Sequence, residues 1–309
     1  MGKPIAVMDL GTNTFHLLIA EGDPSNPTIL FQTTNPVKLG EGGINKGLIA
    51  PAAYERGVKA IKEFSEEIAK HDADEVKAIA TSALRSANNG QAFIDEVKAT
   101  TGIQIETING DEEAGYIYNG VKAGGCLSQQ NSLIIDIGGG SVEFILGNEN
   151  EILWKQSFEI GAARLMDKFH QIDPITPEAI NGLNTYLEER LADMLTTISG
   201  YQVSDLIGSS GAFETFAEVI EAEKGNPFNI RNIKHYTFDT DELIGITDKL
   251  ISSSHEERKN TKSIIPVRVD MIVVASLVTR FVMEKLGIYR VALSTNSLKE
   301  GVASALLAG

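Results

Sequence analysis

Asp136-Ile137-Gly138-Gly139-Gly140-Ser141 ends an apolar run that starts at Ser132, and Asp9-Leu10-Gly11-Thr12-Asn13-Thr14 ends another that starts at Pro4. Each places an aspartate at the close of a strand-like run. Each then has a glycine turn with hydroxyl residues and a second apolar run, residues 141–146 and 15–20. The copies stand a domain's length apart, so the chain reads as one strand–turn–strand unit used twice. A glycine-rich turn lets backbone N–H groups approach phosphate oxygens with no Cβ in the way. An aspartate at the strand end suits Mg2+, held largely through water. Two facing turns would clamp a polyphosphate from both sides. One such turn alone is an ordinary tight β-turn; the matched pair carries the reading.

Outward from the first hairpin, residues 28–33 and 37–39 continue a strand meander. Residues 51–70 carry Tyr54, Val58, Ile61, Phe64 and Ile68 at helical spacing. A strand at 75–80, a helix at 88–101, a strand at 103–108 and a helix at 112–122 follow. The second half repeats the opening with strands at 132–137, 141–146 and 152–158. Helices are expected at 162–170 and 177–199, the latter with Pro177 in its first turn, where a missing N–H costs nothing. A strand at 205–208 runs through Gly208-Ser209-Ser210-Gly211 into a helix at 212–222. Residues 225–231 read as a loop, 241–252, 269–286 and 297–307 as helices, and 290–293 as a strand. The pattern predicts an α/β fold of two domains, each a mixed sheet with flanking helices. Their expected limits are 1–124 and 125–296, meeting at Ala123-Gly124-Gly125, with 297–309 packing back on the first.

The 309 residues are enough for two domains with sizeable cores. A formal net charge of -15 disfavours nucleic acid and anionic membrane surfaces as general partners. An anionic ligand would need a local basic site. The single cysteine, Cys126, excludes an internal disulfide. No signal-peptide pattern and no apolar run of membrane-spanning length is present, so a cytoplasmic location is expected.

The two hairpins resemble the phosphate loops of the actin, sugar kinase and Hsp70 superfamily. Within it the chain resembles the exopolyphosphatase and guanosine pentaphosphate phosphohydrolase family more closely. The resemblance is carried by residues 9–16, Ala80-Thr81-Ser82-Ala83-Leu84-Arg85, Asn109-Gly110-Asp111-Glu112-Glu113-Ala114 and residues 135–143. Ile160-Gly161-Ala162-Ala163-Arg164-Leu165 and residues 208–211 extend it, in family order over nearly the whole chain. It implies two actin-like (ribonuclease H-like) domains with the active site in the interdomain cleft. It also implies Mg2+-dependent release of terminal phosphate from polyphosphate or a guanosine polyphosphate.

Acidic residues in a helix's first turn ordinarily only stabilise its dipole. By resemblance, Glu113 is the general base that activates water, with Glu112 the fallback. Asp136 and Glu143 flank the second turn and are the catalytic and metal carboxylates; Asp9 is the third metal candidate. Gly11, Thr12, Asn13, Thr14, Gly138, Gly139, Gly140 and Ser141 are the phosphate-binding turns. Arg85, Arg164 and Arg268 are the phosphate-binding cations, a planar fork suiting phosphate oxygens. Lys38 and Lys299 are weaker candidates, and residues 208–211 a further anion site at a helix start. His16 reads as structural, and the other four histidines show no ligand spacing.

Two departures from the family pattern concern ligand specificity. A Pro-Gly pair usual near residues 267–277 is replaced by what reads as helix, and Lys299 stands where arginine is common. Longer family members continue into a further domain that would guide long chains. A preference for short polyphosphate or a guanosine polyphosphate is therefore expected, although a homodimer would rebuild such a channel. The rival readings are a kinase-type phosphotransferase and a non-catalytic nucleotide or polyphosphate sensor. A carboxylate placed to activate water argues against both.

Overall fold

Near-continuous burial along β1 (Ile5–Leu10) and most of β2 (Phe15–Asp23) goes with a hairpin inside a sheet rather than at its edge. The computed structural model describes residues 3–309. β3 (Asn26–Asn35) completes an antiparallel meander with β1 and β2, while β4 (Glu75–Ala80) and β5 (Ile105–Thr107) add on in parallel, giving the order β3-β2-β1-β4-β5. The second sheet repeats this plan. β6 (Ser132–Ile137), β7 (Val142–Gly147) and β8 (Ile152–Phe158) form the meander, and β9 (Asp205–Ser209) and β11 (Val291–Ser294) the parallel side. β10 (His235–Thr237) is an extra antiparallel edge, so the order is β10-β11-β9-β6-β7-β8.

Parallel neighbours need crossover connections, and helices supply them. α1 (Pro51–Lys70) leads to β4, and α2 (Ser82–Ser86) and α3 (Gly90–Thr101) lead to β5. In the second half α5 (Ala162–Phe169), α6 (Pro177–Arg190) and α7 (Ala192–Ser199) precede β9. α8 (Gly211–Glu223), α9 (Thr240–Ser252), α10 (His255–Asn260) and α11 (Met271–Leu286) lie between β9 and β11. α4 (Gly110–Ala123) closes the first half and α12 (Leu298–Ala308) the second.

These two closing helices tie the halves together. α12 packs on β1 and β2 of the first sheet, α4 packs on β7 and β8 of the second, and the two helices pack on each other. Gly120 and Gly301 mark the crossing. A Cβ on Gly120 would strike the carbonyl of Ser297, and one on Gly301 the carbonyl of Tyr116. A core between the sheets results, with Val7 and Leu18 facing Ile134 and Ile145, filled by Ile117, Val121 and Val302. The outer cores are separate, one around Phe64 and Phe93, the other around Phe144, Phe213 and Phe216. Among the described residues, no helix is long and apolar enough to cross a membrane.

Four local expectations are corrected. Residues 37–39 are not a strand. Val37 and Leu39 are buried as alternation implies, but Lys38 adopts φ 51 and breaks the extended chain. The helix expected over 177–199 is two, broken at Leu191. Leu183, Leu187, Leu191, Met194 and Ile198 are all buried, so the apolar stripe runs through the break unmarked. The helix expected from 269 begins at Met271, and residues 266–270 are turn. α2, α10 and β10, absent from the sequence reading, are too short to show a period.

Candidate active site

In the antiparallel register Asp136 lies opposite Glu143 and Asp9 opposite His16. Directly opposed residues share a sheet face, so each hairpin sends two functional side chains to one side. His16 therefore occupies in the first copy the position that Glu143 occupies in the second. The turns face each other. A Cβ on Gly139 would fall on the Asn13 side chain, and one on Gly140 would lie 2.5 Å from Ser82 Oγ and 2.7 Å from Thr12 Oγ1.

The orientation of each turn follows from its hydrogen bonds. The carbonyls of Gly140, Gly138 and Gly139 accept from the N–H groups of Gly161, Ala162 and Ala163, at 3.2, 2.8 and 2.8 Å, around the start of α5. Peptide planarity points each following N–H the opposite way. The N–H groups of Gly139, Gly140 and Ser141 are thus turned away from α5, on the cavity side. In the first copy the buried loop does this work. Lys38 N–H donates to the Asn13 carbonyl at 2.7 Å, and Gly40 N–H to the Thr12 carbonyl at 3.0 Å.

Between the turns lies a cavity of about 680 Å³ lined from both sheets. Glu113, Asp136, Glu143 and Asp9 reach it, as do residues 11–14 and 138–141. Glu113 sits in the first turns of α4 and is 6% exposed. Burial, with Asp136 and Glu159 nearby, pushes its carboxyl up to about 7 against the opposing pull of Arg85. Arg85 Nη1 holds Glu113 Oε2 at 2.9 Å and the Ile108 carbonyl at 3.0 Å. Burial likewise takes Asp9 up to about 7, and raises Asp136 and Glu143 above the usual carboxylate range. Asp136 accepts from Ser297 Oγ at 2.7 Å and Glu143 from Ser157 Oγ at 2.7 Å. Thr12 Oγ1, also in the wall, is buried with no hydrogen-bond partner among the described residues.

Glu112, the fallback for Glu113, does not line the cavity. Its carboxylate accepts from Asn109 N–H at 2.8 Å while Asn109 accepts from the Asp111 and Glu112 amides, a capping box facing solvent.

The cations separate into two groups. Arg268 reaches the cavity, braced by Glu214 at 2.7 Å and Thr215 at 3.0 Å, and Lys299 reaches it paired with Glu300 at 2.9 Å. Arg164 does not line the cavity. Its Nε donates to Gly140 O at 2.8 Å, Nη1 to Ile44 O at 2.9 Å, and Nη2 to Ser86 Oγ at 3.1 Å and Glu159 at 2.5 Å. Arg85 stands behind Glu113 rather than in the lining. Lys38 acts through its backbone.

Sequence reasoning missed three features. His16 lines the cavity, its ring nitrogens 3.0 Å from Thr14 Oγ1 and 2.9 Å from Thr34 Oγ1, and burial takes its pKa down to about 3, so it is neutral. The shared offset within the two motifs was the available signal. Ser210 adopts φ 72, ψ 179 before α8, a region strained for any residue but glycine. Glu159, which bridges Arg85 and Arg164, carried no signal at all.

Residues 18–308 match the model of the Ppx/GppA phosphatase family. The chain is 27% identical over 307 residues to a protein described as a putative exopolyphosphatase of Haemophilus influenzae, covering 98% of this chain and 91% of the relative. It is 28% identical over 318 residues to exopolyphosphatase 2 of Mycobacterium tuberculosis, covering 98% of each. Among solved structures, that of an exopolyphosphatase from Cytophaga hutchinsonii superposes with a TM-score of 0.96 at 38% identity, covering 99% of this chain and 98% of the other. An Aquifex aeolicus Ppx/GppA family structure, at 23% identity and a TM-score of 0.82, shares the fold over 99% of this chain and 98% of its own. With two actin-like sheets, paired glycine turns and a family match over almost its whole length, the chain belongs to the Ppx/GppA phosphatase family and is a hydrolase of phosphoanhydride bonds.

Proposed function

We propose that the chain is an exopolyphosphatase, releasing orthophosphate from the end of inorganic polyphosphate with Glu113 as the general base. The observation that carries this is Glu113 itself. It is a buried carboxyl raised to about 7, held by Arg85 and facing the cavity that both turns enter. A base with a pKa near neutrality can take a proton from water as attack begins. The Gly139, Gly140 and Ser141 amides offer donors to the phosphate under attack, and Arg268 and Lys299 supply positive charge. The close approach of Thr12 and Asn13 to Gly139 brings the two turns together, so a phosphate bound there would meet both.

The donor set suits Mg2+. It is all oxygen and little exposed, and burial raises Asp9, Asp136 and Glu143 above the usual carboxylate range. Among the described residues no three such side chains converge closely enough to hold an ion by themselves. The three carboxylates would therefore hold a hydrated ion through its waters. When bound, Mg2+ would neutralise charge on the phosphate oxygens.

A second reading, hydrolysis of guanosine pentaphosphate, is favoured by apolar residues in the cavity lining. Ile230, Ile265, Val267 and Met271 line the cavity, more apolar surface than a bare phosphate chain uses. The test measures phosphate release without any acceptor from polyphosphates of graded length, guanosine pentaphosphate and ATP, each with and without Mg2+. Release from polyphosphate only with Mg2+ is the expected result. Release only when an acceptor is added would replace the hydrolase by a phosphotransferase.

A further inference from the structure

Beside the cavity, two guanidinium groups and a hydroxyl converge on one carboxylate. Glu159 Oε1 is 3.2 Å from Arg85 Nη2, and its Oε2 is 2.5 Å from Arg164 Nη2 and 2.8 Å from Ser82 Oγ. Arg85 and Ser82 come from α2 of the first half, Arg164 from α5 of the second. This is the donor set a phosphate group uses: planar forks from two sides and a hydroxyl. We propose that Glu159 is an internal stand-in for substrate, occupying a phosphate subsite made by Arg85, Arg164 and Ser82, from which a phosphate group of the polyanion displaces it.

The surroundings permit the exchange. The Arg85 and Arg164 side chains are 20% and 14% exposed, whereas that of Glu159 is 41% exposed. Glu159 lies on the short link between β8 and α5, so its side chain can swing to solvent without breaking an element. The guanidiniums keep other anchors when it leaves: Ile108 O and Glu113 for Arg85, Gly140 O and Ile44 O for Arg164. A terminal phosphate carries more charge than a carboxylate and offers a third free oxygen, and an internal phosphate matches the carboxylate's charge and two oxygens while its neighbours in the chain add further charge. The subsite touches the proposed base through Arg85 and the second glycine turn through Arg164. An acidic protein thus keeps its strongest local anion site occupied until a polyanion arrives. Glu159 acts here through Arg85 and Arg164, chiefly on affinity, its charge being the smallest of the influences on the Glu113 carboxyl.

This rests on the polyphosphatase reading, and the test separates the two. Steady-state polyphosphate hydrolysis with Mg2+ is compared for the wild type, Glu159→Gln, and Glu178→Gln, an exposed charge removal on α6 away from the cluster. Glu159→Gln is expected to lower KM about threefold to tenfold with kcat changed less than about twofold, and Glu178→Gln to leave KM unaltered. The double variant Glu159→Gln/Arg164→Gln should lose the gain. An unchanged or raised KM in Glu159→Gln, or an equal fall in Glu178→Gln, would overturn the proposal. If Glu159→Gln does not fold, Glu159→Asp, which draws the carboxylate back by one methylene, should show the same direction. If the wild type releases no phosphate at all, the function fails separately. Calorimetric binding of tripolyphosphate without Mg2+ then decides Glu159: tighter binding in the variant supports the proposal, and equal binding refutes it.

Discussion

Three buried carboxylates and the half-buried Asp9 round one cavity conflict with ordinary solvation, since burial disfavours the charged form. The conflict has a measurable sign. The Glu113 carboxyl rises from 4.5 to about 7 on folding, so between those values the native state holds a proton that the unfolded chain has lost. Its contribution to stability is whole below pH 4.5 and is lost as pH rises through 7. In Mg2+-free buffer, Glu113→Gln should therefore gain thermal stability relative to wild type as pH goes from 4.5 to 7.5, with the Tm difference widening throughout. A constant difference would mean that Glu113 is not raised. Asp136→Asn and Glu143→Gln keep shape and remove charge. Each should push the Mg2+ concentration for half-maximal activity up by an order of magnitude or abolish activity, roughly what an uncompensated loss of one charge in a shielded site implies. Titration curves that overlay the wild type would remove these residues from the metal site.

At the scale of the element, the glycine turns work because their carbonyls are occupied elsewhere: by the start of α5 in one copy and by Lys38 and Gly40 in the other. Gly140 also leaves room for Ser82 and Thr12. Gly140→Ala adds a Cβ that must displace buried hydroxyls on both sides, an overpacking costing about 1–3 kcal/mol. Thermal denaturation should show that loss, and KM for polyphosphate should rise. A fully stable, fully active variant would mean the turns do not abut. The repeated hairpins and α1 were legible from apolar pattern alone, because β1, β6 and β7 are buried along almost their whole length and α1 buries one stripe. The interruption at Leu191 was not, since its buried stripe is continuous across the break. At the site, Asp9, Asp136, Glu143 and Glu113 were legible from motifs, and the structure brings them to one cavity. The distinction between Arg268, which enters it, and Arg164, which braces the Gly140 carbonyl, depends on tertiary partners that no spacing encodes.

Across the whole molecule, one unit used twice builds a site that neither copy has alone. Each half lends its closing helix to the other's sheet, so the two halves share one core between the sheets. The net charge of -15 gives a testable expectation about substrate length. Repulsion from a long polyanion is screened only beyond a Debye length of about 8 Å at physiological salt. Short polyphosphates should be favoured, with release after each cut, and intermediate lengths should accumulate at low conversion of a long chain. Finding only full-length chain and orthophosphate would show processive action instead. The most direct test of the cleft as a water-activating site is orthophosphate release from polyphosphate in ¹⁸O-labelled water, with Mg2+ and no acceptor, for wild type and Glu113→Gln. The expected result is one labelled oxygen in each phosphate released by the wild type, and release slowed about 10²–10⁴-fold in a folded Glu113→Gln. Unlabelled phosphate, or near-normal release by that variant, would contradict it.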